Sequence, residues 1–437
     1  VFQHSYVVFY LHFYFILSNY IDLCCGIGGF HQAIERVCEE RHEDANCLFA
    51  VDNDKYAAKL YEENYGINAF YDLKSEETHK KIKDKLSGEI LDFLFAGFPC
   101  QPFSKAGSQM GFKDKTKGTI FYEILEIIKS HNPKMILLEN VRNLYKHKDG
   151  NTWKTIKDSL ENAGYIVDHV ILSPNQVPDK RIPALRERFF ILCYNKNYIN
   201  NLDSFLTNYD FLFKKKHDRI ETSIYDDGLI SKGLRKDYFN FNDESDLGED
   251  TIKIIDMWND LYHLLRQNNR KLISPLWPRY FSSTIEEIES DSKLPKWKKG
   301  IIKRNIRFYE DNKLLYDSWY ENHKLLFDNL IRSNQKFEWN AGEDIDDVWK
   351  GIIQFRPSGV RVKRPDFIPT LVAITQTPIL GCEKRYLQPE EMARLYGFKS
   401  LNFNNQPLKE TYKQLGNTVS VDVIEYLIKY MLSADLK

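Results

Sequence analysis

The sequence predicts an α/β protein built on a doubly wound parallel sheet, and three observations carry that prediction. From about Tyr20 to Cys193, short apolar runs alternate with segments of helical spacing. A glycine-rich turn, DLCCGIGGF, follows the first of these runs. Aspartates, a cysteine and a glutamate recur just beyond the ends of later runs. That is where open α/β sheets bind their ligands.

Each element follows from its pattern. Tyr20–Leu23 reads as a strand and Phe30–Glu40 as a helix. Cys47–Val51 and Phe93–Ala96 read as further strands, with a helix at Tyr56–Asn64 between them. Helices at Ile120–Ser130 and Trp153–Ala163 alternate with strands at Met135–Leu138 and Phe189–Cys193. From about Asn195 to Gln354 the alternation stops, and the chain becomes rich in Lys, Asp, Asn and aromatics. This stretch reads as a separate region. Val419–Leu432 is amphipathic, with Val423, Ile424, Leu427, Ile428 and Met431 on one face. There is no internal repeat and no low-complexity tract.

The chain has 437 residues, 43% hydrophobic and 28% charged, enough for two domains with sizeable cores. A formal net charge of −1 gives no global basic signature, so a nucleic-acid partner requires local positive charge. The seven cysteines are odd in number and no pair has C-x-x-C spacing. Neither a zinc knuckle nor a thioredoxin-like site is indicated; no metal is expected, and a reduced, cytosolic setting fits best. The opening VFQHSYVVFYLHFYFIL is apolar but lacks a basic leader region and a small-residue cleavage site. It reads as an upstream extension rather than a targeting segment, and no other stretch could cross a membrane.

In DLCCGIGGF, Asp22 ends a strand, and Gly26, Gly28 and Gly29 form the turn into a helix. His31 stands where a dinucleotide fingerprint places its last glycine, which weakens a nicotinamide reading. The turn suits S-adenosylmethionine equally well, or no ligand at all. Asp52 follows the second strand, where a carboxylate can accept ribose hydroxyls. Asp72, in FYDLKS, is read as ending a third strand and meeting an adenine amino group. As isolated residues, both aspartates are as well explained as solvated loop carboxylates.

In GFPCQPFS, Cys100 sits in a loop framed by prolines at the end of a strand, where positive charge or a helix N-terminus can favour thiolate. Glu139 and Asn140 follow an apolar strand in MILLENVRNL; a carboxyl in a partly apolar cleft can hold a proton. The plain alternative is a capping Asn beside a surface Glu. Arg186 and Arg188 alternate before a strand, so in extended structure they face one side and could hold a phosphate or a base edge. QLGNTVSVDV places Asn417 and Thr418 before the last helix, where Asn417 or Ser420 could serve merely as a cap.

Taken together and in this order, these stretches resemble the C5-cytosine DNA methyltransferases. The resemblance covers about residues 20–194 and 356–432 and leaves the middle unmatched. DLCCGIGG is similar to the family's cofactor turn, AGFPCQPFS to its Pro-Cys-Gln loop and LLENV to its Glu-Asn-Val motif. RERFFIL is similar to the end of its Gln-x-Arg-x-Arg motif, QLGNTV to its Gly-Asn-Ser/Thr-Val motif, and GTIFYEIL to the intervening helix. Two departures stand out: Cys24 where the family often has Phe, and Ala184 where it has Gln before the two arginines.

The resemblance implies a Rossmann-like S-adenosylmethionine methyltransferase sheet with a smaller target-recognition domain. It implies catalytic and cofactor binding over 20–194, a small domain over 195–409 with a variable core near 195–355, and a helix over 410–437 returning to the first domain. Residues 1–19 remain an extension. It implies reaction residues Cys100, Gln101, Glu139, Asn140, Arg186 and Arg188. It implies that S-adenosylmethionine is held by Asp22, Leu23, Gly26, Ile27, Gly28, Gly29, Asp52, Asn53, Asp72, Leu73, Pro99, Asn417, Thr418 and Val419. Cys100 would attack C6 of a flipped cytosine in duplex DNA, with Glu139 at its N3 edge and Arg188 at its O2 side.

The basic run KLPKWKKGIIKRNIR, together with Arg356, Arg361, Lys363 and Arg364, supplies local charge for phosphates; the alternative for the run is a solvated helix face. The expected partners are double-stranded DNA and, functionally, a cognate restriction endonuclease. The protein is expected to be a cytoplasmic monomer, nucleoid-associated through DNA. A tRNA-methylating branch carries a Cys-Phe-Thr tripeptide that is absent here. A silent binding module is disfavoured by the intact Cys100, Glu139 and Arg188.

Overall fold

The computed structural model describes residues 19–99, 120–180, 182–221, 224, 247–371, 376–403 and 406–434. Its elements begin with β1 (Asn19–Leu23), α1 (Gly29–Arg41), β2 (Asn46–Val51), α2 (Lys55–Tyr65), α3 (Glu76–Lys85) and β3 (Phe93–Gly97). Then come α4 (Ile120–His131), β4 (Met135–Val141), α5 (Asn151–Asn162), β5 (Tyr165–Leu172), β6 (Arg188–Asn195) and α6 (Leu202–Asn208). After these lie α7 (Glu249–Gln267), α8 (Ile285–Ser290), α9 (Lys296–Asn329), β7 (Phe337–Asn340), β8 (Ile352–Arg356) and β9 (Gly359–Lys363). The chain closes with β10 (Ile379–Leu380), β11 (Arg385–Tyr386), α10 (Pro389–Leu395), α11 (Leu408–Asn417) and α12 (Val421–Leu432).

There are two compact units. One holds the chain up to Leu172, Glu187–His217 and the chain from Thr418; the other holds Ser173–Arg186 and Asp218–Asn417.

In the first unit, six strands among the described residues pair in the order β2-β1-β3-β4-β6-β5. Strand alternation divides the side chains between two faces. Ile21, Leu23, Leu94, Ala96, Ile136 and Leu138 share one core with Ile82 of α3, Ile124 and Ile128 of α4, and Ile156 and Leu160 of α5. On the opposite face Phe95 stacks on Phe30 of α1, with ring centroids 5.3 Å apart. Helix α1 packs on α12, and Arg36 ties them by reaching Asp422 and Glu425, each at 3.2 Å. Helices thus cover both faces, as a doubly wound sheet requires.

The sheet is not wholly parallel. Strands β1 to β4 are parallel, but β6 runs antiparallel to both β4 and β5. Between β5 and β6 the described residues hold only a one-turn 3-10 helix, Pro174–Gln176, and no α-helix of the kind that usually carries a parallel crossover. Strand β5, YIVDHVIL, is absent from the sequence reading because Asp168 and His169 interrupt its apolar run. The fold accommodates Asp168 by giving its carboxylate the backbone N–H groups of His169 (2.7 Å), Leu212 (2.7 Å) and Phe213 (3.2 Å).

The same contacts hold the chain in the first unit through His217, beyond the expected boundary at 194. Phe205 and Tyr209 add to them by packing on Tyr194. The second unit correspondingly takes Ser173–Arg186 and extends to Asn417, past the expected return at 410.

The second unit has a five-stranded sheet among the described residues, in the order β11-β10-β8-β9-β7. Trp258 of α7 stacks between Trp319 of α9 and Phe337 of β7, with centroids 5.4 and 5.1 Å away. The polar middle region therefore has its own aromatic core, built at helical spacings too diluted by Lys, Asp and Asn to stand out. Helix α9 kinks at Asn312, whose φ of −126° is not helical. No helix among the described residues is long and apolar enough to cross a membrane.

Candidate active site

Parallel strands β1 to β4 bring their carboxyl ends to one edge, and antiparallel β6 brings its first residue there. Chain order turns about at β1, with β2 on one side and β3 on the other. Such a switch point is where an open sheet leaves a crevice.

On the β1/β2 side the chain leaves Leu23 and turns through Cys24–Gly28 into α1. Gly28 caps α1 at φ 83°, and a side chain there would start 2.2 Å from Tyr65 Cε2. Gly29 lets α1 approach the start of α12; a Cβ would sit 2.5 Å from Val419 Cγ2 and 3.2 Å from Thr418 Oγ1. Thr418 and Val419 are thus brought to the glycine turn, whereas Asn417 ends α11 in the other unit. The Gly26 N–H donates to Asp52 Oδ2 at 2.8 Å, and Asp54 N–H donates to Oδ1 at 2.8 Å.

Asp22 is fully buried in β1, and neither carboxylate oxygen has a hydrogen-bond partner within bonding geometry among the described residues. Burial, then the nearby Asp52 charge, holds its pKa well above the usual carboxylate range, with the His31 backbone opposing. Leu23, Ile27 and Leu73 are buried apolar residues, and Asn53 and Pro99 are exposed. No atom lies within 4 Å of where a Gly26 side chain would begin. This open turn beside an acid fits the nucleoside part of S-adenosylmethionine. Asp72 differs from expectation. It ends no strand but lies exposed in the loop before α3, its Oδ1 accepting the Lys74 N–H at 3.0 Å. An acid that turns its own loop in this way is an Asx turn.

On the β3/β4/β6 side, Glu139 is buried near the end of β4. Arg188, at the start of β6, places Nε 2.9 Å from Glu139 Oε1. Gly97 lies opposite Glu139 in the register, and a Cβ there would come 3.6 Å from Glu139 Oε2. Asn140 is buried; its Nδ2 donates to the Phe98 carbonyl at 2.8 Å and its Oδ1 accepts the Val141 N–H at 2.9 Å. It therefore pins the loop two residues before Cys100 rather than facing a substrate. Cys100 and Gln101 lie outside the described residues.

Arg186 belongs to the second unit and is buried. Its guanidinium donates to the carbonyls of Gly416 (2.9 Å) and Leu371 (3.3 Å) and lies over the Tyr396 ring at 5.3 Å. A cation engaged by two carbonyls and an aromatic face tethers backbone.

Burial pushes the thiols of Cys24, Cys25 and Cys193 well up, Cys47 up to about 12 and Cys38 up to about 11. These thiols stay protonated and poorly nucleophilic. The sequence reading missed the support beneath the glycine turn. Tyr65 fills the space left by Gly28 and donates to the Ile27 carbonyl at 3.2 Å. His31 packs on that ring at 4.1 Å, with Nδ1 2.7 Å from Tyr61 Oη and 2.9 Å from Tyr20 Oη. A histidine in place of a glycine was the available signal, but its tyrosine partners are separated from it in sequence.

An α/β sheet with a nucleoside crevice at one end of its edge and an acid–arginine pair at the other is that of an S-adenosylmethionine-dependent methyltransferase. The chain belongs to the C-5 cytosine-specific DNA methylase family, whose sequence profile matches residues 18–433. It is similar to Type II methyltransferase M.AluI of Cellulosimicrobium cellulans, at 30% identity over 95% of this chain and 92% of that one. It is also similar to Type II methyltransferase M.BanI of Aneurinibacillus aneurinilyticus, at 28% identity over 94% of this chain and 95% of that one. With Type II methyltransferase M.HpaII of Haemophilus parainfluenzae the match is 41% identical but spans only 41% of this chain and 46% of that one. The protein is a DNA cytosine-5 methyltransferase that uses S-adenosylmethionine as methyl donor.

Proposed function

We propose that the enzyme methylates C5 of a cytosine flipped out of a specific duplex sequence, through a covalent adduct to Cys100. The observation that supports this most is the Glu139–Arg188 pair at 2.9 Å. It lies on the strand edge that leads, through the Asn140-pinned loop, to Cys100. The described thiols held up by burial offer no better nucleophile.

In this reading the Cys100 thiolate adds to C6, and the electron pair displaced from the C5–C6 bond makes C5 nucleophilic. Glu139 meets the N3 edge and delivers a proton there as charge builds, and Arg188 orients Glu139 and the O2 side. S-adenosylmethionine, when bound, supplies an electrophilic methyl group to C5. The residues that would hold it are Asp22, the Gly26–Gly29 turn and Asp52, with Thr418 and Val419 behind the turn. The C5 proton then leaves to a base, the C5–C6 double bond re-forms, the Cys100–C6 bond breaks, and the N3 proton returns to Glu139. Flipping the cytosine costs about a few kcal/mol.

We further infer that the chain works as a monomer, since every motif residue is its own. A cognate restriction endonuclease is its functional companion, as the Type II designation of its relatives suggests. Its place is the cytoplasm, on nucleoid DNA. Bisulfite sequencing of plasmid DNA from cells expressing the chain tests the reading. Protected cytosines in one short context are expected with the native chain and none with Cys100→Ser, which still binds S-adenosylmethionine. Near-native methylation by Cys100→Ser would refute the nucleophile. Uniform conversion by a native chain that binds S-adenosylmethionine would move the substrate to RNA.

A further inference from the structure

We propose that one face of the first three turns of α9 is a docking strip for the phosphate backbone of duplex DNA. The inference rests on the reading that duplex DNA is the substrate, and it deepens that reading by assigning a contact surface. At about 100° per residue, Lys296, Arg307, Gly300, Arg304 and Trp297 fall within an arc of about 100°. All five are exposed, Trp297 to 65%. Neither Lys296, Arg304 nor Arg307 has an acidic partner among the described residues.

The rest of the helix explains why this face is free. Ile302 and Ile306 point toward α8 and share a small core with Ile288. Lys299 donates to the Glu289 carbonyl at 2.6 Å, and Lys303 pairs with the Glu289 carboxylate. Asn305 is buried, donating to the Pro275 carbonyl at 3.0 Å. The basic residues that seat the helix are therefore 299 and 303, both engaged by Glu289, and Lys303 borders the strip about 20° from Lys296. The strip contributes nothing to that seating, yet carries three cations and no acid until Asp311 closes it. That is charge complementarity to a polyanion.

The dimensions agree. Lys296 to Arg307 spans about 16 Å along the axis, the rise of about five phosphates on one strand. Gly300, midway, has no atom within 4 Å of where a side chain would start, so a backbone can approach closely there. Because the helix is held from its opposite face, the cations are presented on a rigid element.

The test is Lys296→Gln/Arg304→Gln/Arg307→Gln in the full chain. Binding to two unrelated duplexes of about 30 base pairs is followed by fluorescence anisotropy between about 50 and 200 mM salt. The slope of log affinity against log salt should fall by about 2 to 3, and by the same amount on both duplexes. Arg304→Gln alone should lower it by about 1. Lys299→Gln/Lys303→Gln should leave it unchanged, as should S-adenosylmethionine binding and melting temperature in the triple variant. A folded triple variant with the native slope, from a native chain that does methylate duplex DNA, overturns the strip alone. A native chain that binds no duplex overturns the substrate reading and the strip with it.

Discussion

Asn140→Ala separates positioning from chemistry at this site. The native amide joins two backbone groups, donating to the Phe98 carbonyl at 2.8 Å and accepting from the Val141 N–H at 2.9 Å. Val141 is 41% exposed, so water can replace the second partner, but the Phe98 carbonyl belongs to a buried residue. An unsatisfied buried carbonyl costs about 1–3 kcal/mol, and that is the expected loss in urea denaturation. The effect on catalysis is larger than this figure suggests. Phe98 lies two residues before Cys100, and a displacement of about 1 Å at a reacting group costs about 100-fold in rate. Single-turnover methylation should therefore slow by about 100-fold, while affinities for S-adenosylmethionine and duplex DNA change little. Asn140→Asp sharpens the test: it keeps the acceptor for Val141 but sets an oxygen against the Phe98 carbonyl, and should be at least as slow. A single-turnover rate within about threefold of native for Asn140→Ala, despite lost stability, would refute the positioning role.

Three further outcomes follow from the same geometry. Arg188→Gln should destabilise the fold by about 3 kcal/mol, because it leaves Glu139 buried without its cation. Glu139→Gln/Arg188→Gln should lose less than the two single changes together, and additivity in a denaturation cycle would deny the coupling. Gly28→Ala meets left-handed strain of about 1–2 kcal/mol and a Tyr65 ring 2.2 Å away. Calorimetry should show weakened S-adenosylmethionine binding, partly restored by adding Tyr65→Ala; unchanged affinity in Gly28→Ala alone would argue against the crevice. Burial, followed by the Lys157 charge, lowers His169 to about 4. An unfolded histidine takes up its proton near pH 6.5, so the contribution of neutral His169 is complete above that pH and is lost as pH falls toward 4. Stability should drop over that window by up to about 2 kcal/mol after screening, and His169→Phe should flatten the curve. Asp168, raised chiefly by burial, acts in the opposite sense, so the native–variant difference is the quantity to read.

What the sequence made legible depended on whether a signal was local. The glycine turn, the acid after β2 and the Glu-Asn pair near the end of β4 are contiguous with the apolar runs that place them, and the structure puts them on one edge. Alternation with Arg188 says only that two residues share a face while the chain stays extended, and it could not show that Arg186 bonds to the Gly416 and Leu371 carbonyls, which lie far along the chain. The strand end expected at Asp72 is absent: a lone acid after aromatics looks the same in a strand end and in an Asx turn. Tyr65 and His31 went unseen because their meaning is a contact between separate elements. The aromatic core of the second unit was missed for a related reason: Trp258, Trp319 and Phe337 meet only after α7, α9 and β7 have formed.

The direction of β6 shows how a topological detail becomes chemistry. In a wholly parallel sheet β6 would present its last residues, near Asn195, at the ligand edge, and Arg188 would lie at the far end. Strand β6 runs antiparallel to β4, and its register pairs Val141 with Arg188 and Glu139 with Phe190. Arg188 is therefore the diagonal neighbour of Glu139. Side chains two positions offset across antiparallel strands lie within reach of each other when one is long, as arginine is. The observed 2.9 Å contact is the result. The feature that departs from the simple α/β pattern is thus the one that gives the acid its cation. A shift of one residue in the β4–β6 register would turn Arg188 to the opposite face of the sheet and take its guanidinium away from buried Glu139.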